Sequence, residues 1–449
     1  MEVVPNDIKF AVGKLESFNR NRFKLQPNGS VTAGPNSRCI LTLPSNAILD
    51  LRSFCVHLDV STTSDNTNGT PGVVYAKLPA DAASLIAQLT VYIGGVQVCQ
   101  SFSEYHTACK IKKLIHSSRD RDGSVDGTLS HGLISTSDAV ETVSMIFKPP
   151  IGLFAESSTR YLSSNLVGDI SVEIVFASTN VLAFKEGSVA IDQNFSDADA
   201  RADALNTTFS ISNIFATIDT VTLSESYERM LADRLVAENS LMVRLKEYYS
   251  FSLKSTTGTS HDVRFSLSAG SVDALYTVCR DANYEVSGVR TRQYGGASLS
   301  DANCANFFKF LAYNDSTTAR GSLRYQYDIN SVKHPQYLAD VLDAAHETIM
   351  LTNEHGLGAR GTMVSSLTDF CDGKAIFPLI LNMPGNPIAV SSGLNTRGAN
   401  TQFSVSLQGQ TLPAANAAAQ VTAALSTYVL VETTATMMIQ GAKSVAMSY

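Results

Sequence analysis

His346-Glu347 opens a spacing that zinc peptidases use: in HExxH, two histidines one helical turn apart hold the metal and the glutamate acts as base. The second histidine would stand at position 350, which is Met350, so the metal pair is broken, and His355 is off that spacing. Asp120-Arg121-Asp122-Gly123 with Asp126 has the acidity of a calcium loop, but its twelfth place, where a bidentate glutamate belongs, is His131; Asp-Gly there reads as a turn. GxxxxGK[ST] and GxSxG are absent, which leaves a P-loop and a nucleophile elbow without support.

Paired carboxylates would serve glycoside hydrolysis, and Glu104, Glu173, Asp328 and Glu432 stand in or beside regular elements. Glu173 shares one face with Ser171 and Ala177 while Ile170, Val172, Ile174 and Phe176 share the other, so it reads as the solvated side of a strand. No tryptophan is present to form a sugar platform. Tyr248-Tyr249 and Phe251, with Arg244 and Lys246 nearby, have the composition of a base-stacking surface; the same residues alternate as a strand with one buried face. Seven cysteines, Cys39, Cys55, Cys99, Cys109, Cys279, Cys304 and Cys371, contain no CxxC pair and read as reduced thiols buried in cores. No catalytic, cofactor-binding or metal-binding residue is therefore assigned.

The 449 residues exceed one ordinary core, and 44% hydrophobic against 17% charged residues describes a folded chain able to fill two. A net charge of −7 argues against sequence-specific nucleic-acid binding. The first segment is mildly basic through Lys9, Lys14, Arg20, Arg22 and Lys24 against Glu2, Asp7 and Glu16, and reads first as a solvated turn or strand edge and second as an arm for internal contacts. MEVVPNDIKF has no basic stretch leading into an apolar one, and no membrane-length apolar run occurs; synthesis in a cytosol is expected. Asn-x-Ser/Thr triplets begin at Asn28, Asn68, Asn194, Asn206 and Asn314, within loops rich in these residues.

The elements that must position these residues are short apolar runs rich in Val, Ile, Phe, Tyr and Thr, separated by Gly/Ser/Asn/Asp loops, an antiparallel all-β pattern. In the first half the runs are Asn21–Leu25, Arg38–Leu43, Leu51–Val60, Leu85–Ile93, Val96–Cys99, Thr142–Phe147, Asp169–Phe176 and Phe209–Ile218. Gly94-Gly95 between two of them supplies the positive φ of a two-residue hairpin. The second half offers Leu241–Leu253, His261–Leu267, Ala274–Arg280, Phe307–Tyr313, Ser322–Ile329, Lys374–Leu381, Thr401–Leu407 and a pair within Ser426–Val445. Helical spacing marks Ser103–Ser117, capped by Ser103 and lined by Tyr105, Ala108, Cys109, Lys112 and Ile115, and also Gln336–Thr352, with His334-Pro335 at its start. Ser224–Asn239, amphipathic through Tyr227, Met230, Leu231, Arg234 and Leu235, ends where the second half begins. This divides the chain into an arm at 1–20, a first β domain at 21–240 and a second at 241–449. Five polar segments, Ser61–Gly72, Ser118–Ala139, Thr179–Asn206, Asp281–Asn303 and Gly385–Asn400, are long for loops, which points to function or to disorder. The end of the chain has only Glu432 and Lys443 as charges after Asn416, and its two strands are expected at the centre of a sheet, since an exposed edge so apolar would aggregate.

Leu89–Ile115 and Ser322–Ile349 each run strand, turn, helix, one in each half, and Val272–Tyr284 adds a second-half strand. On these segments, and on a layout covering essentially the whole chain, the sequence resembles the double jelly-roll major capsid proteins of adenoviruses, polinton-like viruses, virophages and large DNA viruses of eukaryotes. The resemblance implies an all-β fold of two consecutive eight-stranded jelly rolls with short helices and long loops. It implies a homotrimeric capsomer of pseudo-hexagonal outline, assembling into an icosahedral virion shell, with penton proteins, minor capsid proteins and an internal membrane as further partners. It implies no catalysis and no cofactor. A two-jelly-roll glycan hydrolase and a surface or fibre adhesin are the alternatives; an exported protein would carry a signal segment, and fibres favour short repeats.

Overall fold

The structure is a computed structural model that describes residues 19–63, 74–77, 82–99, 104–116, 134–135, 142–186, 208–222, 225–238, 240–255, 260–281, 307–308, 310, 312, 323–354, 364, 367–371, 373–382, 393–398, 401–409, 425–440 and 443–449. The first part contains β1 (Asn19–Leu25), β2 (Arg38–Thr42), β3 (Ile48–Thr63), β4 (Val74–Lys77), β5 (Ile86–Ile93), β6 (Val96–Cys99), β7 (Ile134–Ser135), β8 (Thr142–Phe147), β9 (Tyr161–Ser163), β10 (Ile170–Phe176), β11 (Ala183–Glu186) and β12 (Thr208–Thr222). Between them lie helices α1 (Tyr105–His116) and α2 (Ser164–Val167). Helix α3 (Glu225–Glu238) leads to β13 (Ser240–Ser255), β14 (Ser260–Ser266), β15 (Val272–Asp281), β16 (Arg324–Ile329), β17 (Val332–Ala339), α4 (Val341–Glu354), α5 (Leu367–Cys371), β18 (Phe377–Ile380), β19 (Gln402–Gln408), β20 (Leu425–Gln440) and β21 (Ser444–Ser448).

Both parts are antiparallel sandwiches of the same design. The first stacks sheet β1-β12-β3-β8 on β2-β10-β5-β6; the second stacks β13-β20-β15-β18 on β14-β19-β16-β17. Numbering the eight main strands within each part, both follow the order one, eight, three, six over two, seven, four, five, the jelly roll of two Greek keys. The expected fold class is therefore the observed one. Alternation builds the cores: β10 buries Ile170, Val172, Ile174 and Phe176. A register shift between Val175 and Phe176 ends that alternation, so Ala177 is buried and not outward with Glu173.

Three connections of the first sandwich carry a small sheet of their own, β11-β4-β7. Thr63 pairs with Thr208 and Ser61 with Thr142, so the chain leaves β3, enters β8 and enters β12 at one end of the sandwich. Of the long polar segments expected at 61–72, 118–139 and 179–206, the described residues are the end of β3, β7, and a short turn leading into β11.

The hairpin at Gly94-Gly95 has φ of 57° and 82°, as its turn requires. Two readings need correction. The helix expected from Gln336 begins at Val341, because Asp340 is its cap: its Oδ1 accepts the N–H groups of Leu342 at 2.9 Å and Asp343 at 3.0 Å, and Asp343 Oδ2 accepts the Asp340 N–H at 3.1 Å. Residues 332–339 form β17 instead, an edge strand, where a proline without a donor is tolerated. In the segment read as strand Phe307–Tyr313, Phe310 makes only an isolated bridge to Lys374, while Phe307 and Phe308 are buried by tertiary packing. The apolar C-terminal segment forms one continuous strand, β20, central between β13 and β15, and a short β21 that pairs with β20 alone, so the two central strands expected there are one central strand and one edge strand. In α3, Leu235 is buried but Met230 stays 46% exposed, so its inward stripe is narrower than the spacing suggests.

Candidate functional site at the seam

Sheet β13-β20-β15-β18 is buried on both faces. Val429, Val431, Leu275 and Cys279 fill the second sandwich, while Tyr428, Leu430, Tyr276 and Val278 join one core with the first. That second face meets α1, whose residues are buried nearly all round, including Lys112. The seam is also stitched by backbone: Ser157 bridges Leu245, with Ser158 N–H donating to Arg244 O at 2.7 Å and Lys246 N–H to Glu156 O at 3.3 Å. Val243, Leu245, Met437, Ile439 and Val445 extend the shared core along β13, β20 and β21, and Tyr449 donates its hydroxyl to Gln97 O at 3.2 Å.

Inside this apolar seam lies a cluster of charges. Lys112 Nζ donates to Glu432 Oε2 at 2.6 Å and stands 3.7 Å from Glu156 Oε1. Lys246 Nζ lies 3.2 Å from Glu432 Oε1 and 2.5 Å from Asp273 Oδ2. Tyr248 donates to Glu156 at 2.5 Å and Tyr276 to Glu432 at 3.4 Å. Asp273 further accepts from Ser271 at 2.7 Å and Thr434 at 2.5 Å. Burial alone pulls the Lys112 ammonium down, but Glu432, Tyr276 and Glu156 outweigh it and the group is held charged. Lys246 behaves alike, burial opposed by Glu432 and Asp273. Glu156 is pushed above the usual carboxylate range, by burial first and by Glu432 too, against the pull of Lys112.

A second knot ties α1 to β15. Arg280, 1% exposed, pairs with Glu104, donates to Thr107 Oγ1 at 3.2 Å and lies 3.8 Å over the Phe307 ring. His106 meets Phe307 and Phe308 edge-on, and burial, with Arg280 nearby, lowers its pKa to about 3, so it is neutral.

The structure thus gathers four residues that the sequence marks for chemistry, Glu432, Glu104, Lys246 and Tyr248, at the seam, Glu432 and Tyr248 buried and Lys246 and Glu104 partly exposed, each with a partner there. Tyr249 and Phe251 turn to the second core, where Phe251 stacks on Phe265, so no base-stacking surface is presented. Glu173 is held across its sheet by Arg38 at 2.5 Å. Asp328 is the one carboxylate lining an open polar groove of about 720 Å³ with Arg264, Ser266, Asn330, Gln402 and Ser404. His346 is exposed on α4, and among the described residues no three His, Cys, Asp or Glu side chains gather to hold a metal. The described cysteines form no disulfide; all are buried except the half-buried Cys55. In β1, Arg20 and Arg22 pair with Asp219, and Asp50 takes Arg160 at 2.9 Å. Asn28 donates to Thr42 at 2.9 Å. Lys9, Lys14, Ser103, Asp120 to Asp126, His131, Cys304, His355, Asn68, Asn194, Asn206 and Asn314 lie outside the described residues. No described helix is long and apolar enough to cross a membrane.

No protein-family model matches the sequence, and no curated protein matches it. Solved structures do match in fold. A chain of the PBCV-1 virus capsid aligns over 97% of this chain and 98% of its own, with a TM-score of 0.61 at 13% identity. The Faustovirus major capsid protein aligns over 94% and 91%, with a TM-score of 0.57 at 9% identity. A chain of the Sputnik virophage aligns over 97% and 88%, with a TM-score of 0.50 at 13% identity. The chain has the double jelly-roll fold of these proteins along essentially its whole length.

Proposed function

We propose that this chain is a major capsid protein. Three copies form a capsomer whose six sandwiches give a pseudo-hexagonal outline, and capsomers tile the icosahedral shell of a virion. One observation carries the reading: two sandwiches of identical strand order, locked by a buried seam, share their whole layout with a chain of the PBCV-1 virus capsid. Function then resides in interfaces and not in catalysis, and the seam charges hold two halves in one orientation where an enzyme would leave them open to substrate. The divisions are an arm at 1–20, a first jelly roll at 21–240 and a second at 241–449. Partners are neighbouring capsomers, with penton and minor capsid proteins and a membrane beneath the shell. The protein is made in the host cytosol and resides in the virion.

Light scattering on the purified chain, with negative-stain imaging of the same peak, tests this. A stable particle of three subunits with a hexagonal outline is expected. A clean monomer overturns it and turns attention to a glycan-cleavage screen, the two-jelly-roll enzyme being the reading that then remains.

A further inference from the structure

We infer that the outer face of sheet β1-β12-β3-β8 is the docking face for the second sandwich of another copy, which presents the outward side of α4. The inference rests on the shell reading in one respect, that copies assemble with one another.

The internal repeat supplies the argument. Because both sandwiches share one strand order, the outer face of β13-β20-β15-β18 corresponds to that of β1-β12-β3-β8; likewise α1 and α4 correspond, each following the hairpin of the fourth and fifth strands. Within the chain, one member of each pair is satisfied and the other is not. The second sheet's outer face is covered by α1, with Leu430 and Tyr276 buried. The first sheet's outer face is covered by nothing among the described residues: its centre is a half-buried stack of His57 on Phe215, ring centroids 4.4 Å apart, with Lys24 lying 4.0 Å over Phe215. Helix α1 is buried nearly all round, whereas α4 buries Val341, Ala344, Ala345 and Thr348 and leaves Leu342 47% and Met350 48% exposed.

A second copy resolves both deficits at once, its α4 taking on the first sheet the place that α1 takes on the second. The contact joins unlike surfaces, so repetition can close a ring. Charge agrees with the pairing. Lys24 and Arg52 together outweigh Asp59 on the sheet face, beyond the arginines already matched to Asp50 and Asp219, and α4 begins with Asp340 and Asp343 followed by exposed Glu347. Opposite potentials of this kind favour encounter in one orientation.

Two full-length variants test the contact, one on each side of it: Leu342→Glu with Met350→Glu on α4, and Ser212→Trp on the sheet face. All three side chains are exposed in the chain, so each variant should fold, as circular dichroism would register. The particle mass should fall about threefold in both. Cys55, half-buried on the same sheet face, is a built-in reporter: peptide-mapped alkylation should find it protected in the wild-type particle and modified in both variants. Folded variants that assemble like wild type, or a Cys55 that reacts as fast in the particle as in a variant, overturn this contact and leave the shell reading standing. A monomeric wild type overturns both.

Discussion

Glu432 is the one charged residue of β20, and Lys112 stands on the apolar side of α1; each is a charge in a buried setting that favours none. Their pairing answers both, because a buried charge left without a partner costs far more than the pair gains. Glu432 also serves Lys246, so replacing it removes a carboxylate from two cations at once. Glu432→Gln should therefore lower the unfolding free energy by about 3–5 kcal/mol, seen as an earlier denaturant midpoint. Glu156→Gln should change it by about 1 kcal/mol or less, since an amide oxygen still accepts from Tyr248 and from the Gly152 N–H. The two variants also separate by pH. The folded state holds the Glu156 proton to higher pH than the unfolded chain does, so this group's contribution declines as pH rises from the ordinary glutamate value through the raised one. That decline should vanish in Glu156→Gln and persist in wild type. Equal midpoints for the two variants would show that Glu432 is not the hub of the cluster.

Legibility varied sharply among the elements. Strands Val96–Cys99 and Thr142–Phe147 are found at the residues where sequence pattern places them, because a Gly-Gly turn and clean alternation are local signals. Four strands, β4, β7, β9 and β11, had no such signal: they have two to four residues and owe their pairing to loops that meet in space. Pro335 misled in β17, since an opening helix and an edge strand both tolerate it and only the Asp340 cap separates them. The Gly94-Gly95 turn holds more than its type reveals. A side chain on Gly94 would come within 3.3 Å of Lys443 O and Val167 O, so this hairpin tip abuts the C-terminal end of the second half; nothing lies within 4 Å of a side chain on Gly95. Gly95→Ala should then cost only its backbone strain, about 1–2 kcal/mol, and Gly94→Ala distinctly more, because the neighbouring backbone must also shift. Thermal unfolding of the two variants compares them directly, and a Gly95→Ala variant melting as low as Gly94→Ala would remove the hairpin tip from the seam.

On the scale of the molecule, two similar β halves could be read from sequence, and the seam could not. Lys112 and Glu432 are 320 residues apart, and no local pattern reports which of two sheets will turn its outer face inward. The unalternating run Tyr428–Val431 of β20 was the available clue, because a strand buried on both faces loses alternation. The consequence is that the two sandwiches are not interchangeable as independent units. Cut free at Ser240, the second would expose Tyr248, Tyr276, Tyr428 and Leu430 around Glu432, an apolar patch of a kind that soluble monomers seldom present. The first would expose the far side of α1 with Lys112 and His106. Residues 240–449 produced alone should therefore aggregate, and production together with residues 1–239 should return both fragments to solution as one complex on size exclusion. The intact chain should unfold in a single transition, because opening the seam exposes the cores of both halves together. Two separated calorimetric transitions, or a second half that is soluble and folded by itself, would show the seam to be a loose contact between independent domains.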